Sequence, residues 1–216
     1  MVLKVSPSIL SANFSSLKTE VEEVDKAGAD YIHIDVMDGH YVPNITFGPD
    51  IVKTVKSLTK KTIDVHLMIS PVINFIEQFC IAGADIISFH PEADNNPLEV
   101  INSIKKNNCK PGIAIHPNIK IQEVTKFLNM VDLVIVMTVV PGFAGQSFLK
   151  NQVSKISFLK DFKIKNNLNF EIEVDGGINK ETAKICKQNG ADVIVAGSYI
   201  YNFRDSNYKN VIESLR

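Results

Sequence analysis

The triplet Gly-Ala-Asp occurs three times in this chain, and its spacing constrains the fold more than any other feature. The copies begin at Gly28, Gly83 and Gly190, so they are separated by 55 and 107 residues. Each copy lies between a segment with helical periodicity and an apolar run typical of a strand. The separations are close to two and four times 27 residues, which is one eighth of the 216-residue chain. This pattern predicts eight strand-plus-helix units.

Eight segments fit the strands of these units, and most of them are nearly continuous apolar runs, as expected for parallel strands covered on both faces. The predicted strands span residues 5–9, 31–37, 62–68, 86–90, 112–115, 133–138, 170–175 and 193–196. An open doubly wound sheet is disfavoured, because no Gly-x-Gly-x-x-Gly motif follows the first strand and polar residues gather at many strand ends. We therefore predict the α/β class and a single TIM (β/α)8 barrel, a closed parallel sheet with outer helices, as one domain over residues 1–216.

Composition favours a small-molecule ligand over a macromolecule. With 45% hydrophobic residues, 22% charged residues and a net charge of −1, the chain is globular and has no broad basic field. We predict no nucleic-acid partner, and no membrane partner because no apolar run approaches the length of a membrane span. Cys80, Cys109 and Cys186 have neither disulfide-framework nor CxxC spacing. A reducing, cytoplasmic location is expected.

Four residues of metal-ligand type fall near the ends of predicted strands. His33 and Asp35 share one face of the second strand, because side chains alternate along a strand, and His66 and Asp175 end the third and seventh strands. One histidine on an apolar strand is more often structural. Because the carboxyl ends of barrel strands meet at one rim, these four residues together predict a site for a divalent cation.

Two more carboxylates lie deeper on the same strand faces. Asp64 and Glu173 each precede a predicted ligand by two residues, where an unpaired charge would be costly. We expect them to orient the metal ligands. Asp38 belongs to an Asp-Gly turn and is assigned no catalytic role.

Three methionines and two further histidines also lie at the ends of predicted strands. Met37, Met68 and Met137 end three strands, and we predict that they form an apolar ring that limits water around a reactive intermediate. His90 and His116 end the fourth and fifth strands. Packing at the rim and contact with substrate are both open for them.

Glycine-rich loops follow strands six, seven and eight. Their candidate binding residues are Gly142, Phe143, Ala144, Gly145, Gly176, Gly177, Gly197 and Ser198. Glycine lets backbone N–H groups approach a phosphate without a basic side chain. Tight turns would explain any one loop, but three consecutive loops in the usual phosphate position of a barrel predict a phosphate site.

Over nearly its whole length the chain resembles the ribulose-phosphate 3-epimerase family. The matching motifs are SPSILS at 6–11, HIDVMDGHYVPNITFG at 33–48, DVHLM at 64–68, VMTVVPGF at 136–143 and EVDGG at 173–177. The resemblance implies an isomerase of class EC 5.1.3.1 in the pentose phosphate pathway of carbohydrate metabolism. It would interconvert D-ribulose 5-phosphate and D-xylulose 5-phosphate by inversion at C3.

The resemblance also implies residue roles. One divalent ion, with zinc as first choice and iron, manganese or cobalt as alternatives, would be held by His33, Asp35, His66 and Asp175. Asp35 and Asp175 would be the acid and base of a two-base 1,1-proton transfer through a metal-stabilised enediolate. Ser8 and His66 would contact the substrate, and the glycine loops with Ser198 would hold its phosphate. A homo-oligomer, either a dimer or a hexamer, is expected.

Two positions depart from the family pattern. Val140 stands where a polar or acidic residue is frequent, and Ala144 replaces a usual glycine. Alanine would restrict the backbone if that position needed a positive φ, so lid geometry or phosphate affinity is expected to differ in that case.

Three alternative functions remain open. The first is a 3-epimerase of a six-carbon ketose phosphate such as D-allulose 6-phosphate. The second is a metal-dependent sugar phosphatase, and the third is an inert sugar-phosphate-binding protein. A Schiff-base aldolase is disfavoured because no strand ends in lysine. The decarboxylase pattern Asp-x-Lys-x-x-Asp has Met37 at its lysine position.

Overall fold

A ring of eight parallel strands forms the centre of the computed structural model, which describes residues 2–202 and 207–216. The strands are β1 (Lys4–Pro7), β2 (Tyr31–Met37), β3 (Thr62–Met68), β4 (Ile86–Phe89), β5 (Lys110–Ile115), β6 (Leu133–Met137), β7 (Glu171–Asp175) and β8 (Val193–Ala196). They are hydrogen-bonded in the order β1-β8-β7-β6-β5-β4-β3-β2. A parallel bridge between Ser8 and His33 spans the remaining gap, between β1 and β2. The predicted TIM barrel is therefore confirmed as a nearly closed barrel.

Helices alternate with the strands and cover the outside of the barrel. They are α1 (Leu17–Lys26), α2 (Pro49–Leu58), α3 (Ile76–Ala82), α4 (Pro97–Lys106), α5 (Ile121–Val124), α6 (Val153–Lys165), α7 (Lys180–Asn189), α8 (Ser198–Tyr201) and α9 (Tyr208–Ser214). Short 3-10 turns precede or follow several of them. The predicted first strand was too long, because the chain turns into a 3-10 segment, Ile9–Ser11, after Ser8. None of the helices in the described residues is long and apolar enough to cross a bilayer.

The Gly-Ala-Asp triplets have a common structural role. Gly83 and Gly190 follow α3 and α7 with φ values of 105° and 108°, in the left-handed region that glycine adopts at low cost. The aspartate of each triplet then accepts a backbone N–H from the preceding strand: Asp30 from Val5 at 2.9 Å, Asp85 from Ile63 at 2.7 Å and Asp192 from Ile172 at 2.9 Å. Each of these carboxylates also pairs with a cation, from Arg216, Lys56 or Lys163. The repeat thus ends a helix and fastens two adjacent strands at their amino ends.

The barrel interior is divided into an apolar and a polar sector. On the apolar side Ile86, Leu133 and Ile135 pack together, and each is at most 3% exposed. On the polar side His33, Asp64 and Glu173 are fully buried. The larger hydrophobic core lies between the sheet and the outer helices. The polar sector lies below the carboxyl ends of the strands and therefore positions the site described next.

We predict that Asp85→Ala lowers the free energy of unfolding by about 1–3 kcal/mol, because the buried N–H of Ile63 loses its acceptor. Denaturant unfolding followed by circular dichroism measures this. The matched control is Asp132→Ala, an exposed aspartate directly before β6. No side-chain hydrogen bond or ion pair of Asp132 is found within residues 2–202 and 207–216, so the change should be within about 0.5 kcal/mol. Equal destabilisation by both variants would contradict the proposed fastening role.

Candidate functional site

The four predicted metal ligands converge inside the carboxyl end of the barrel. One ligand atom from each of His33, Asp35, His66 and Asp175 lies within 4.8 Å of the other three. Asp35 Oδ1 is 3.3 Å from both His33 Nε2 and His66 Nδ1, and His66 Nδ1 is 3.9 Å from Asp175 Oδ2. The register of β2 and β3, which aligns Asp35 with His66, produces this closeness. The cluster is able to hold a metal ion.

The two aspartates of the cluster differ in electrostatic environment. Burial alone would raise the pKa of Asp35, but the imidazoles of His33 and His66 hold that pKa well below its usual range. Ser8 Oγ also donates to Asp35 Oδ2 at 2.6 Å. Burial and the neighbouring Asp35 raise the pKa of Asp175 to about 6. An ionised carboxylate therefore lies beside one that retains a proton more readily, which is the arrangement of a base and an acid.

The donor set suits a divalent cation. Two imidazoles and two carboxylates are ligands for zinc and for iron, manganese or cobalt. A cation would also offset the repulsion between Asp35 and Asp175 that raises the pKa of Asp175. The residues present therefore fit the metal that the resemblance implies.

Asp64 lies directly behind one imidazole of the cluster. His33 Nδ1 donates to Asp64 Oδ2 at 2.6 Å, which leaves Nε2 free to face Asp35. Glu173 Oε1 is 3.6 Å from the same Nδ1, and burial together with the charge of Asp64 raises the pKa of Glu173 well above its usual value. A protonated Glu173 avoids a second buried charge beside Asp64. The contact expected for Asp64 is present in the structure.

A cleft opens above the cluster at the barrel rim. Among the residues lining it are the predicted contacts Ser8, Met37, Met68, Met137, Gly142, Phe143, Ala144, Gly145, Gly176, Gly177, Gly197 and Ser198. His66 is fully buried and lies at the floor, in the metal cluster. The lining of this cleft, as far as the described residues define it, contains no lysine or arginine. An anion in the cleft would therefore depend on backbone N–H groups and hydroxyls.

Glycine is required at two positions of the cleft wall. At Gly176, with φ of 116°, a Cβ atom would lie 2.4 Å from Val139 Cγ2, and at Gly177, with φ of 67°, it would lie 2.6 Å from the backbone nitrogen of Phe148. Ala144 is not among the described residues with positive φ. The departure at Ala144 therefore introduces no backbone strain.

Sequence reasoning missed several residues of the cleft. Leu10, Ser11, Val139, Pro141, Gln146, Ile178 and Val195 also line it. Gln146 Nε2 donates to the carbonyl oxygens of Val140 at 2.7 Å and Phe143 at 2.8 Å, and so ties the glycine-rich loop to itself. Ser11 lies in the motif at 6–11 and Pro141 in the motif at 136–143. Membership of these family motifs was the sequence signal that could have identified both as cleft residues.

The other strand-end predictions have mixed outcomes. Met37 and Met68 are register neighbours in one apolar cluster, whereas Met137 packs in another with Ile135, so the three do not form one contiguous ring. Asp38 accepts the backbone N–H groups of His40 and Ser70 and is a loop residue, as expected.

The two remaining rim histidines differ in depth. His90 is fully buried, with Nε2 at 3.0 Å from His66 Nε2, and burial lowers the pKa of His90 to about 4. His116 is partly exposed and its Nδ1 accepts the backbone N–H of Asn118 at 3.1 Å. Of these two histidines, His90 is therefore the one shown in contact with a predicted metal ligand, His66.

Comparison with known proteins gives concordant results. The profile of the Ribulose-phosphate 3 epimerase family matches residues 4–201. Ribulose-phosphate 3-epimerase of Bacillus subtilis is 46% identical over 218 residues, covering 100% of this chain and 99% of that protein. The protein of the same name from Methanocaldococcus jannaschii is 42% identical over 215 residues, covering 100% and 90%.

Solved structures share the fold at low identity. KGPDC from Streptococcus mutans has a TM-score of 0.73 at 13% identity, covering 100% of this chain and 96% of that one. A 3-hexulose-6-phosphate synthase has a TM-score of 0.69 at 17% identity, with 100% and 98% covered. These likenesses concern the barrel alone.

We predict that Asp64→Asn weakens binding of a divalent cation about 10-fold or more, because His33 loses the charged acceptor that orients its ring. Titration calorimetry with Zn²⁺ measures the affinity. Asp38→Asn is the matched control and should leave the affinity unchanged, because Asp38 contacts loop amides outside the cluster. Zn²⁺ affinity equal to wild type in Asp64→Asn would refute the orienting role.

Proposed function

Because this chain belongs to the ribulose-phosphate 3-epimerase family, we propose that it interconverts D-ribulose 5-phosphate and D-xylulose 5-phosphate by inverting C3. Membership of this family makes the chain an epimerase, which is a type of isomerase. The observation that carries the specific reaction is the pair Asp35 and Asp175, whose carboxylates share one buried cluster below the cleft. Inversion next to a ketone needs one group to remove a proton and another to return one on the opposite face.

The difference between the two aspartates assigns their starting roles. Asp35, which accepts the hydroxyl of Ser8 and has the lower pKa, takes the C3 proton, and the fraction of Asp175 that carries a proton returns one from the other face. After one inversion Asp35 carries a proton and Asp175 lacks one. The two acids therefore exchange protons, directly or with solvent, before the next turnover in the same direction.

One divalent ion would be held by four atoms of the cluster: His33 Nε2, His66 Nδ1, and one carboxylate oxygen each from Asp35 and Asp175. The ion, zinc as first choice and iron, manganese or cobalt as alternatives, would supply Lewis-acid stabilisation of the negative charge that develops on the substrate oxygens. His33 and His66 are fully buried, so bulk water does not compete with the ion for their ring nitrogens.

The glycine-rich rim supports a site for the phosphate of the substrate. Gly142, Gly145, Gly176 and Gly177 all have positive φ, and the backbone there lies at the cleft surface. Backbone N–H groups and the hydroxyl of Ser198 would bind the phosphate dianion. Met37, Met68 and Met137 also line the cleft, and their apolar side chains would limit water near the reacting carbon.

The biological setting is part of the same proposal. The reaction belongs to the pentose phosphate pathway, and we place it in the cytoplasm, which the free Cys80, Cys109 and Cys186 support. A homo-oligomer, dimer or hexamer, remains a prediction. Light scattering coupled to size-exclusion chromatography measures the oligomeric state.

The central test is incubation of metal-reconstituted protein with ribulose 5-phosphate in deuterated water. We expect xylulose 5-phosphate with deuterium at C3, measured by proton NMR and mass spectrometry. Asp35→Asn and Asp175→Asn should each lower kcat by roughly 100- to 10,000-fold, because each removes one proton-transfer group.

Each alternative function has its own result in this assay. Release of inorganic phosphate without inversion would support a phosphatase, and binding without C3 exchange would support an inert binding protein. A kcat/KM higher for allulose 6-phosphate than for ribulose 5-phosphate would show that the six-carbon sugar is the substrate.

A second prediction concerns the phosphate rim. In Gly197→Ala the new Cβ would lie 2.6 Å from Ser11 Oγ at the cleft wall. We expect KM for the sugar phosphate to rise severalfold while kcat changes less, with a parallel loss of inhibition by inorganic phosphate. Gly48→Ala, where an added Cβ has no neighbour within 4 Å, is the control and should leave KM unchanged. A selective loss of kcat in Gly197→Ala would argue against phosphate binding there.

A further inference from the structure

His66 uses both of its ring nitrogens, and only one of them faces the metal cluster. Nδ1 points toward Asp35 and Asp175, while Nε2 lies 3.0 Å from His90 Nε2. Both rings are fully buried. Two neutral imidazoles at this distance form a hydrogen bond when one of the facing nitrogens carries a proton and the other does not.

The proton between the two rings can sit on His66 Nε2 or on His90 Nε2. Only one of these two proton arrangements leaves His66 able to bind a metal. If His90 Nε2 donates, then His66 carries its proton on Nδ1, and that N–H points at Asp35. If His66 Nε2 donates, then Nδ1 has a free lone pair toward the cluster, and His90 carries its proton on Nδ1. Each arrangement holds two protons in total, so changing between them moves protons but releases none.

The surroundings of His90 favour the second arrangement. Its Nδ1 lies 3.5 Å from Glu92 Oε1, which accepts the hydroxyl of Tyr41 at 2.8 Å. The ring of Tyr41 stacks on His90 with centroids 4.6 Å apart and an angle of 28°. At this distance His90 Nδ1 makes no hydrogen bond, but a proton on it would face a carboxylate, and the stacked tyrosine restrains the imidazole from rotating away.

We propose that His90 is a positioning residue that accepts the Nε2–H of His66 and thereby keeps His66 Nδ1 available as a metal ligand. This inference rests on the metal site of the proposed function. His33 and His66 are then held by different partners. His33 is held by the carboxylate of Asp64, and His66 is held by the neutral imidazole of His90, which lies next to Glu92. Glu92 and Tyr41 act through His90 and lie outside the metal cluster.

The first experiment determines the tautomers in wild-type protein by long-range ¹H–¹⁵N NMR of the histidine rings, before and after loading with Zn²⁺. In the loaded protein we expect protons on His66 Nε2 and His90 Nδ1. A proton on His90 Nε2 in the loaded protein would overturn the inference while leaving the metal site intact. Wild-type protein that binds no Zn²⁺ would overturn both this inference and the metal part of the proposed function.

The second experiment compares Zn²⁺ affinity among variants by titration calorimetry. His90→Phe keeps a ring beside Tyr41 but removes the acceptor, so we expect affinity to fall about 10- to 100-fold. His90→Gln can accept through its amide oxygen and should recover part of the loss. His116→Phe is the matched control, since His116 lies at the next strand end and its Nδ1 bonds to Asn118.

Wild-type affinity in a folded His90→Phe protein, confirmed by circular dichroism, would overturn the positioning role. If His90→Phe does not fold, His90→Gln and the tautomers of the wild type still decide. An affinity loss of equal size in His116→Phe would also count against the proposal, because it would show a general effect of aromatic substitution at the rim.

Discussion

The pairing of β2 with β3 is the interaction on which the site depends. In this register His33 lies beside Asp64, Asp35 beside His66 and Met37 beside Met68. Because side chains alternate along a strand, a slip of β3 by one residue would turn Asp64, His66 and Met68 out of the barrel and break all three pairs. The triplet carboxylate of Asp85, bound to the backbone N–H of Ile63, fastens β3 at the opposite end. Ordinary strand geometry thus brings the acids and imidazoles together without any special loop.

Concentrating polar groups in one sector of a closed barrel has an energetic cost. Asp64 Oδ1 and both oxygens of Glu173 are buried and have no hydrogen-bond partner within the described residues, although such groups are normally satisfied. The apolar sector around Ile86, Leu133 and Ile135, together with the core beneath the helices, offsets that cost. Departures of this kind from good packing are expected where function requires them.

The fold was largely predictable from sequence because its signals are local. Most of the eight strands are nearly continuous apolar runs, and the Gly-Ala-Asp triplets mark helix ends. The fastening role of Asp30, Asp85 and Asp192 was not predictable, because each accepts an N–H from a strand about 20 residues earlier in the chain. The ligand cluster followed from alternation along β2 and from the shared rim.

The contact of His90 was beyond sequence reasoning for a geometric reason. β3 and β4 align His66 with Ser88, so His90 lies one inward-facing position beyond its register partner and past the end of its strand. Register alone therefore places Ser88, not His90, beside the ligand. The imidazole of His90 stacks on Tyr41, and its Nε2 lies 3.0 Å from His66 Nε2. This stacking comes from a loop far from β4 in the sequence, so it is a side-chain contact that strand register does not encode.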